Sequence, residues 1–292
     1  MDPPPDFAER RWTSRDGLNL FARDYAASGG EARLPVICLH GLTRNSKDFE
    51  DIAPIIAGWG RRVIVPDVRG RGRSDRDPDP ANYRPPIYAR DVVEMMASLD
   101  VPRAAFIGTS MGGIIMMTLA ALRPKAIVAA ILNDVGPAIA PEGVARILGY
   151  VGKRVDIRSW DVAADYVRRI NEIALPQFDS DDWLRFARRT FREGTDGPML
   201  DYDPAITVPL GRPPSKVSLW IASLLFRRLV RKRPALLIRG ELSDVISLDI
   251  ADRMQRMAPT LERVDVPGVG HAPMLSEPAA VDAIERFLRT VP

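Results

Sequence analysis

The segment Gly108-Thr109-Ser110-Met111-Gly112-Gly113 sets a serine between glycines two residues to either side. An apolar run, Ala104–Ile107, precedes it, and a helix-periodic stretch, Ile114–Leu122, follows. A serine on a tight strand-to-helix turn needs small neighbours, because side chains two residues away would clash with the strained backbone. Such a turn lifts Oγ off the sheet and aims the amides of the helix N-terminus at the reacting centre. A serine hydroxyl is a weak nucleophile at neutral pH and needs a base. Only His40 and His271 are available. His271 lies in Val266-Pro267-Gly268-Val269-Gly270-His271-Ala272-Pro273, where glycines suit a loop projecting the imidazole, and it is the expected base. His40 is read as a loop brace.

The base needs a carboxylate to fix its tautomer and stabilise the imidazolium. Asp244, in Arg239-Gly240-Glu241-Leu242-Ser243-Asp244, follows the run Ala235–Ile238 and is the expected acid. Asp134, in Leu132-Asn133-Asp134-Val135-Gly136-Pro137, is the alternative acid or a pocket group, and Glu241 is a more distant one. His40-Gly41-Leu42 closes the run Pro35–Leu39, which places the Leu42 amide opposite that of Met111 as donors to an oxyanion.

These groups must be positioned by a scaffold, and hydrophobic patterning predicts one. Short continuous apolar runs at Pro35–Leu39, Arg62–Pro66, Ala104–Ile107, Ile127–Leu132, Ala235–Ile238 and Arg263–Val266 read as strands covered on both faces. Asn19–Ala26 reads as part of a leading antiparallel hairpin, after a Pro-rich arm at 1–9. Between the strands, Ser46–Ala57, Ile87–Leu99, Met111–Leu122, Leu248–Met257 and Glu277–Thr290 read as helices. The alternation predicts an α/β protein with a mostly parallel sheet. It stops after Asn133-Asp134 and resumes at Pro234. The expected domains are therefore a core of residues 1–136 and 233–292 and a helical cap at 137–232. Residues 137–233 hold 17 basic against 12 acidic side chains, read as a solvated exterior or a lure for anionic substrates. Within them Val217–Lys232 is an apolar helix with a basic end, expected to pack over a pocket rather than touch a membrane.

Composition narrows the classes further. The 292 residues are 46% hydrophobic and 27% charged, with a net charge of +3, too balanced for a nucleic-acid binder. One cysteine, Cys38, excludes an intramolecular disulfide, and two histidines leave no ordinary zinc set. No metal or organic cofactor is expected. Arg69-Gly70-Arg71-Gly72-Arg73 lacks the third glycine and the following helix of a dinucleotide site, and Asp67–Asp75 reads instead as a tight ion-paired loop. No apolar stretch reaches the ~18 residues of a bilayer span. The opening MDPPPD has neither a basic nor an apolar leader region, so a cytoplasmic protein with a small-molecule substrate is expected, without membrane insertion. Nothing in the sequence addresses its oligomeric state.

Together, His40-Gly41, Asp67–Asp75, Gly108–Gly113, Arg239–Asp244 and Gly270–Pro273 make the chain resemble the α/β-hydrolase fold superfamily. The resemblance covers residues 35–135 and 234–290. It implies an eight-stranded, mostly parallel sheet, a helical cap and a Ser110–His271–Asp244 triad. Epoxide hydrolases and haloalkane dehalogenases carry aspartate where this chain has Ser110, which disfavours those reactions. Leu42-Thr43-Arg44 replace the glycine run of some C–C hydrolases and lipases. The expected activity is hydrolysis of carboxylic esters, lactones included. The alternatives are C–C hydrolysis of a small diketone-like acid, with cap arginines such as Arg188 or Arg189 holding its carboxylate, and a non-catalytic ligand-binding protein.

Overall fold

The computed structural model describes residues 7–292 except Gly30, Ala32, Arg154 and 211–215. Its sheet begins with an antiparallel hairpin, β1 (Ala8–Thr13) and β2 (Asn19–Tyr25). The hairpin therefore takes in Ala8 and Glu9 of the expected arm, whose residues 1–6 lie outside the described residues. Strands β3 (Val36–Leu39), β4 (Val63–Asp67), β5 (Ala104–Thr109) and β6 (Ile127–Asn133) follow. Two short strands, β7 (Phe191–Arg192) and β8 (Met199–Leu200), pair with each other apart from this sheet. Strands β9 (Ala235–Gly240) and β10 (Leu261–Val266) complete the eight, in the order β1-β2-β4-β3-β5-β6-β9-β10. From β4 to β10 every pairing is parallel. The expected eight-stranded, mostly parallel α/β sheet is present.

Strand pleating explains why the central runs are apolar throughout. Ile37 and Leu39 join one buried layer while Val36 and Cys38 join the other, and Phe106 and Ile107 divide in the same way. Helix α1 (Ile52–Gly58) packs in the layer of Cys38, and α2 (Pro85–Ser98) and α3 (Met111–Leu122) in that of Ile37. Cys38 is fully buried, and burial pushes its thiol above the ordinary range. Helices α3 and α8 (Leu248–Met257) have the predicted bounds, and α9 (Pro278–Arg289) is shorter by one residue at each end. The expected helix Ser46–Ala57 is instead a 3₁₀ turn, Ser46–Phe49, followed by α1. Pro54 explains the break, since its ring excludes the carbonyl four residues back, that of Glu50, from a continuous helix.

Between β6 and β9 lie α4 (Pro141–Tyr150), α5 (Trp160–Asn171), α6 (Ser180–Thr190), the β7–β8 pair and α7 (Lys216–Val230). Asp179 and Asp182 form a reciprocal capping box that starts α6, and Ser159 caps α5. The loop after β4 is ion-paired, as read from its sequence. Buried Arg69 bonds Asp16, Asp77 and Asp91, while the Asp67 carboxylate accepts from the Ser46 and Arg73 amides. At Gly72, with φ of 53°, a methyl group would sit 2.2 Å from Asp67 Oδ2, so only glycine serves.

Candidate active site

Strand β5 ends at Thr109 and α3 begins at Met111, leaving Ser110 alone on the turn with φ of 50° and ψ of −113°. That strained backbone is held from both sides, because the Ser110 amide donates to the Asn133 carbonyl and its own carbonyl accepts from Gly113. The flanking glycines are needed for space. A methyl group at Gly108 would meet the Gly113 nitrogen at 2.6 Å, and one at Gly112 would meet the Leu39 carbonyl oxygen at 2.0 Å. Gly112→Ala should therefore destabilise the protein by about 3 kcal/mol or fail to fold, read by urea unfolding. A variant as stable as the parent would refute this account of the turn.

From the loop after β10, His271 places Nε2 3.1 Å from Ser110 Oγ and Nδ1 2.8 Å from Asp134 Oδ2. The ring is almost buried and the Asp134 side chain is fully so. Asp134 follows β6 with φ of 50°. Two further donors fix its carboxylate: the Gly240 amide at 3.1 Å to Oδ1 and the Ser243 hydroxyl at 2.6 Å to Oδ2. A buried carboxylate with three donors has the hydrogen bonding that burial demands.

Asp244, the expected partner of His271, is not that partner. Its carboxylate is taken by Arg146 of α4, whose Nε and Nη2 donate at 2.5 and 2.8 Å. Burial works to raise the Asp244 pKa, but the Arg146 bonds outweigh it and hold the group below the usual carboxylate range. Its charge still reaches His271 through space. The structure thus joins Ser110, His271 and Asp134, with Asp244 bound to the inserted segment beside them. Strands β6 and β9 are neighbours, so the two aspartates leave adjacent strand ends, and order along the chain could not choose between them. Ser243, which donates to Asp134 Oδ2, was legible only as part of the run ending at Asp244.

The Leu42 and Met111 amides, the expected oxyanion donors, have no hydrogen-bond partner among the described residues. Met111 opens α3, where no helical carbonyl lies four residues back. Buried Arg71, read in sequence only as part of the ion-paired loop, stands behind both. Its Nε donates to the Leu42 carbonyl at 3.0 Å and its Nη2 lies 3.5 Å from the Met111 sulfur. His40 is the expected brace. Its Nε2 accepts from the Val68 amide, Nδ1 faces the Gly41 carbonyl, and burial lowers its pKa to about 4.

Ser110 and His271 open on a cavity of about 100 Å³, walled by apolar side chains of the core such as Leu42 and Met274 and of the insertion such as Ile147, Leu175 and Phe186. Tyr150 and Asn171 also reach it. The one cation lining it among the described residues, Arg44, is committed to Asp48 at 2.8 Å and to Thr190. Arg188 and Arg189 do not line it: Arg188 stacks on Trp160 and Arg189 pairs with Asp51. No described side chain of α7 lines it either, against the expectation that this helix covers the pocket. A wider groove bordered by Val93, Met96, Asp100 and Arg123 contains neither Ser110 nor His271. No group of three or more metal-ligating side chains occurs among the described residues.

Residues 36–284 match the family model for the alpha/beta hydrolase family. The chain belongs to that family. The family's fold recurs in a crystal structure of an alpha/beta hydrolase from Novosphingobium aromaticivorans. That structure is 43% identical, covers 98% of this chain and 99% of its own, and superposes with a TM-score of 0.89. Among curated alpha/beta hydrolase relatives, the 3-hydroxybutyrate-oligomer hydrolase of Cupriavidus necator is 34% identical over 86% of this chain and 87% of its own length. A mouse sn-1-specific diacylglycerol lipase, ABHD11, is 30% identical over 46% of this chain and 44% of its own. With hydrolases as its relatives, this member of the family is a hydrolase. None of its described helices is long and apolar enough to cross a membrane.

Proposed function

We propose that the protein hydrolyses carboxylic esters with short acyl groups through an acyl-enzyme on Ser110, the inserted segment at 137–232 serving as its cap. The observation that carries this reading is the hydrogen-bonded chain Ser110–His271–Asp134, at 3.1 and 2.8 Å, ending in a small apolar cavity. His271 takes the Ser110 proton as Oγ attacks the carbonyl, and Asp134 holds the imidazole in the tautomer that presents Nε2. The Leu42 and Met111 amides receive the oxyanion. His271 then protonates the leaving alcohol and activates water against the acyl-enzyme.

Cavity size and charge narrow the substrate. A cavity of about 100 Å³ is small, which suits a short acyl chain. With Arg44 committed to Asp48, no free guanidinium among the described residues lines the cavity to meet the carboxylate of a diketone-like acid, which favours ester cleavage over C–C cleavage. The C. necator relative acts, by its name, on 3-hydroxybutyrate oligomers, and oligoesters of small hydroxy acids fit the same pocket chemistry.

Two measurements test the reading. Intact mass after a fluorophosphonate probe should show one adduct, absent in Ser110→Ala. Across p-nitrophenyl esters, kcat/KM should be highest from acetate to butyrate and at least about tenfold lower at octanoate, with 3-hydroxybutyrate dimers and small lactones assayed alongside. A folded protein that neither labels nor turns over any ester would overturn the proposal and favour a ligand-binding role.

A further inference from the structure

We infer that helix α7 docks the protein peripherally on an anionic lipid surface. This inference is independent of the ester-hydrolase reading. At 100° per residue, Val217, Trp220, Ile221 and Leu224 form one stripe along α7, and Arg227, Arg228 and Arg231 continue the same stripe. The opposite side carries Phe226, Leu229 and Val230, all buried, and α7 packs against α3. An amphipathic helix of a globular protein buries its apolar stripe. Here one apolar group is buried and a second faces outward, with Trp220 66%, Val217 65%, Leu224 52% and Ile221 44% exposed. A contiguous outward face of this kind marks an interaction surface.

Charge identifies the occupant. No aspartate or glutamate occurs from residue 216 to residue 240. Arg227, Arg231 and Lys232 are exposed and have no acidic partner among the described residues, and Arg228 spends its Nε on the Ala120 carbonyl. The packing partner α3 has no charged residue within its bounds. A second copy docking through this helix would bring no acid from it to answer these cations. An anionic bilayer supplies both complements: headgroup phosphates meet the arginines, and the acyl boundary takes Trp220 and its aliphatic neighbours. Tryptophan suits that boundary because its ring is apolar and its N–H is polar.

The test uses the full chain with vesicles of phosphatidylcholine alone or mixed with phosphatidylglycerol, read by co-sedimentation. Binding is expected to the mixed vesicles and to weaken as salt rises. Arg227→Glu/Arg231→Glu should weaken it at least about tenfold, and Trp220→Ser/Ile221→Ser should abolish it. Both pairs lie outside the cavity and should keep the parent's melting temperature and its turnover of a water-soluble ester. Failure of the parent to bind mixed vesicles would overturn the inference, as would unchanged binding by both variants. So would a parent dimer in solution that Trp220→Ser/Ile221→Ser converts to monomer without vesicle binding, which would assign the face to a second copy.

Discussion

Asp134→Asn should lower kcat by about 10⁴-fold, while Asp244→Asn should change it by less than about tenfold. The contrast is sharp because both aspartates sit beside His271 and only one receives its Nδ1–H. An asparagine at 134 can turn its amide toward the ring, forcing the proton to Nε2 and removing the base from Ser110. The Gly240 amide donates to Oδ1, away from the ring, and would still hold the replacement, while the Ser243 hydroxyl loses Oδ2 as its acceptor, so the loss should appear chiefly in kcat with a smaller cost in folding. At position 244 the substitution strips Arg146 of its carboxylate, and any cost should appear in the melting temperature. Steady-state kinetics on p-nitrophenyl butyrate beside thermal unfolding separates the two effects. Collapse of kcat in Asp244→Asn with a near-parent Asp134→Asn would return the acid's role to Asp244.

Ser110→Ala should cost about 10⁴–10⁶ in kcat, and His271→Ala about as much. The double variant should be no slower than the worse single one, because the hydroxyl and the imidazole act as one unit. Residual turnover should remain above the uncatalysed rate, since the Leu42 and Met111 amides and the cavity survive both changes. The same three proteins assayed against one soluble ester suffice. Additive losses would mean that Ser110 and His271 work separately, and a near-parent Ser110→Ala would remove the acyl-enzyme altogether.

The parallel sheet was legible because a strand covered on both faces must be apolar at every position, and few other structures demand that. The turn at Ser110 was legible for a related reason: Gly108 and Gly112 are small where any side chain would collide with backbone, so steric demand appears directly as residue type. The carboxylate partner of His271 was not legible. Asp134 and Asp244 both end strands, and the contact that separates them comes from Arg146, 98 residues from Asp244 along the chain. The helix misread at Ser46–Ala57 failed on Pro54, where a local steric rule overrode the apolar period. The apolar helix with a basic end at Val217–Lys232 was legible, but its direction was not, because periodicity reports that a helix has an apolar face and not which way it points.

Arg71 gives the molecule two ionic regimes. It is 1% exposed, forms no ion pair among the described residues, and sits against both the Leu42 and the Met111 segments. Counter-ions in the medium cannot gather around a charge so enclosed, whereas they gather freely around Arg227 and Arg231. Saline that dissolves a surface encounter would leave the potential behind the Leu42 and Met111 amides as it was, so adhesion and turnover can be tuned by the surrounding electrolyte one without the other.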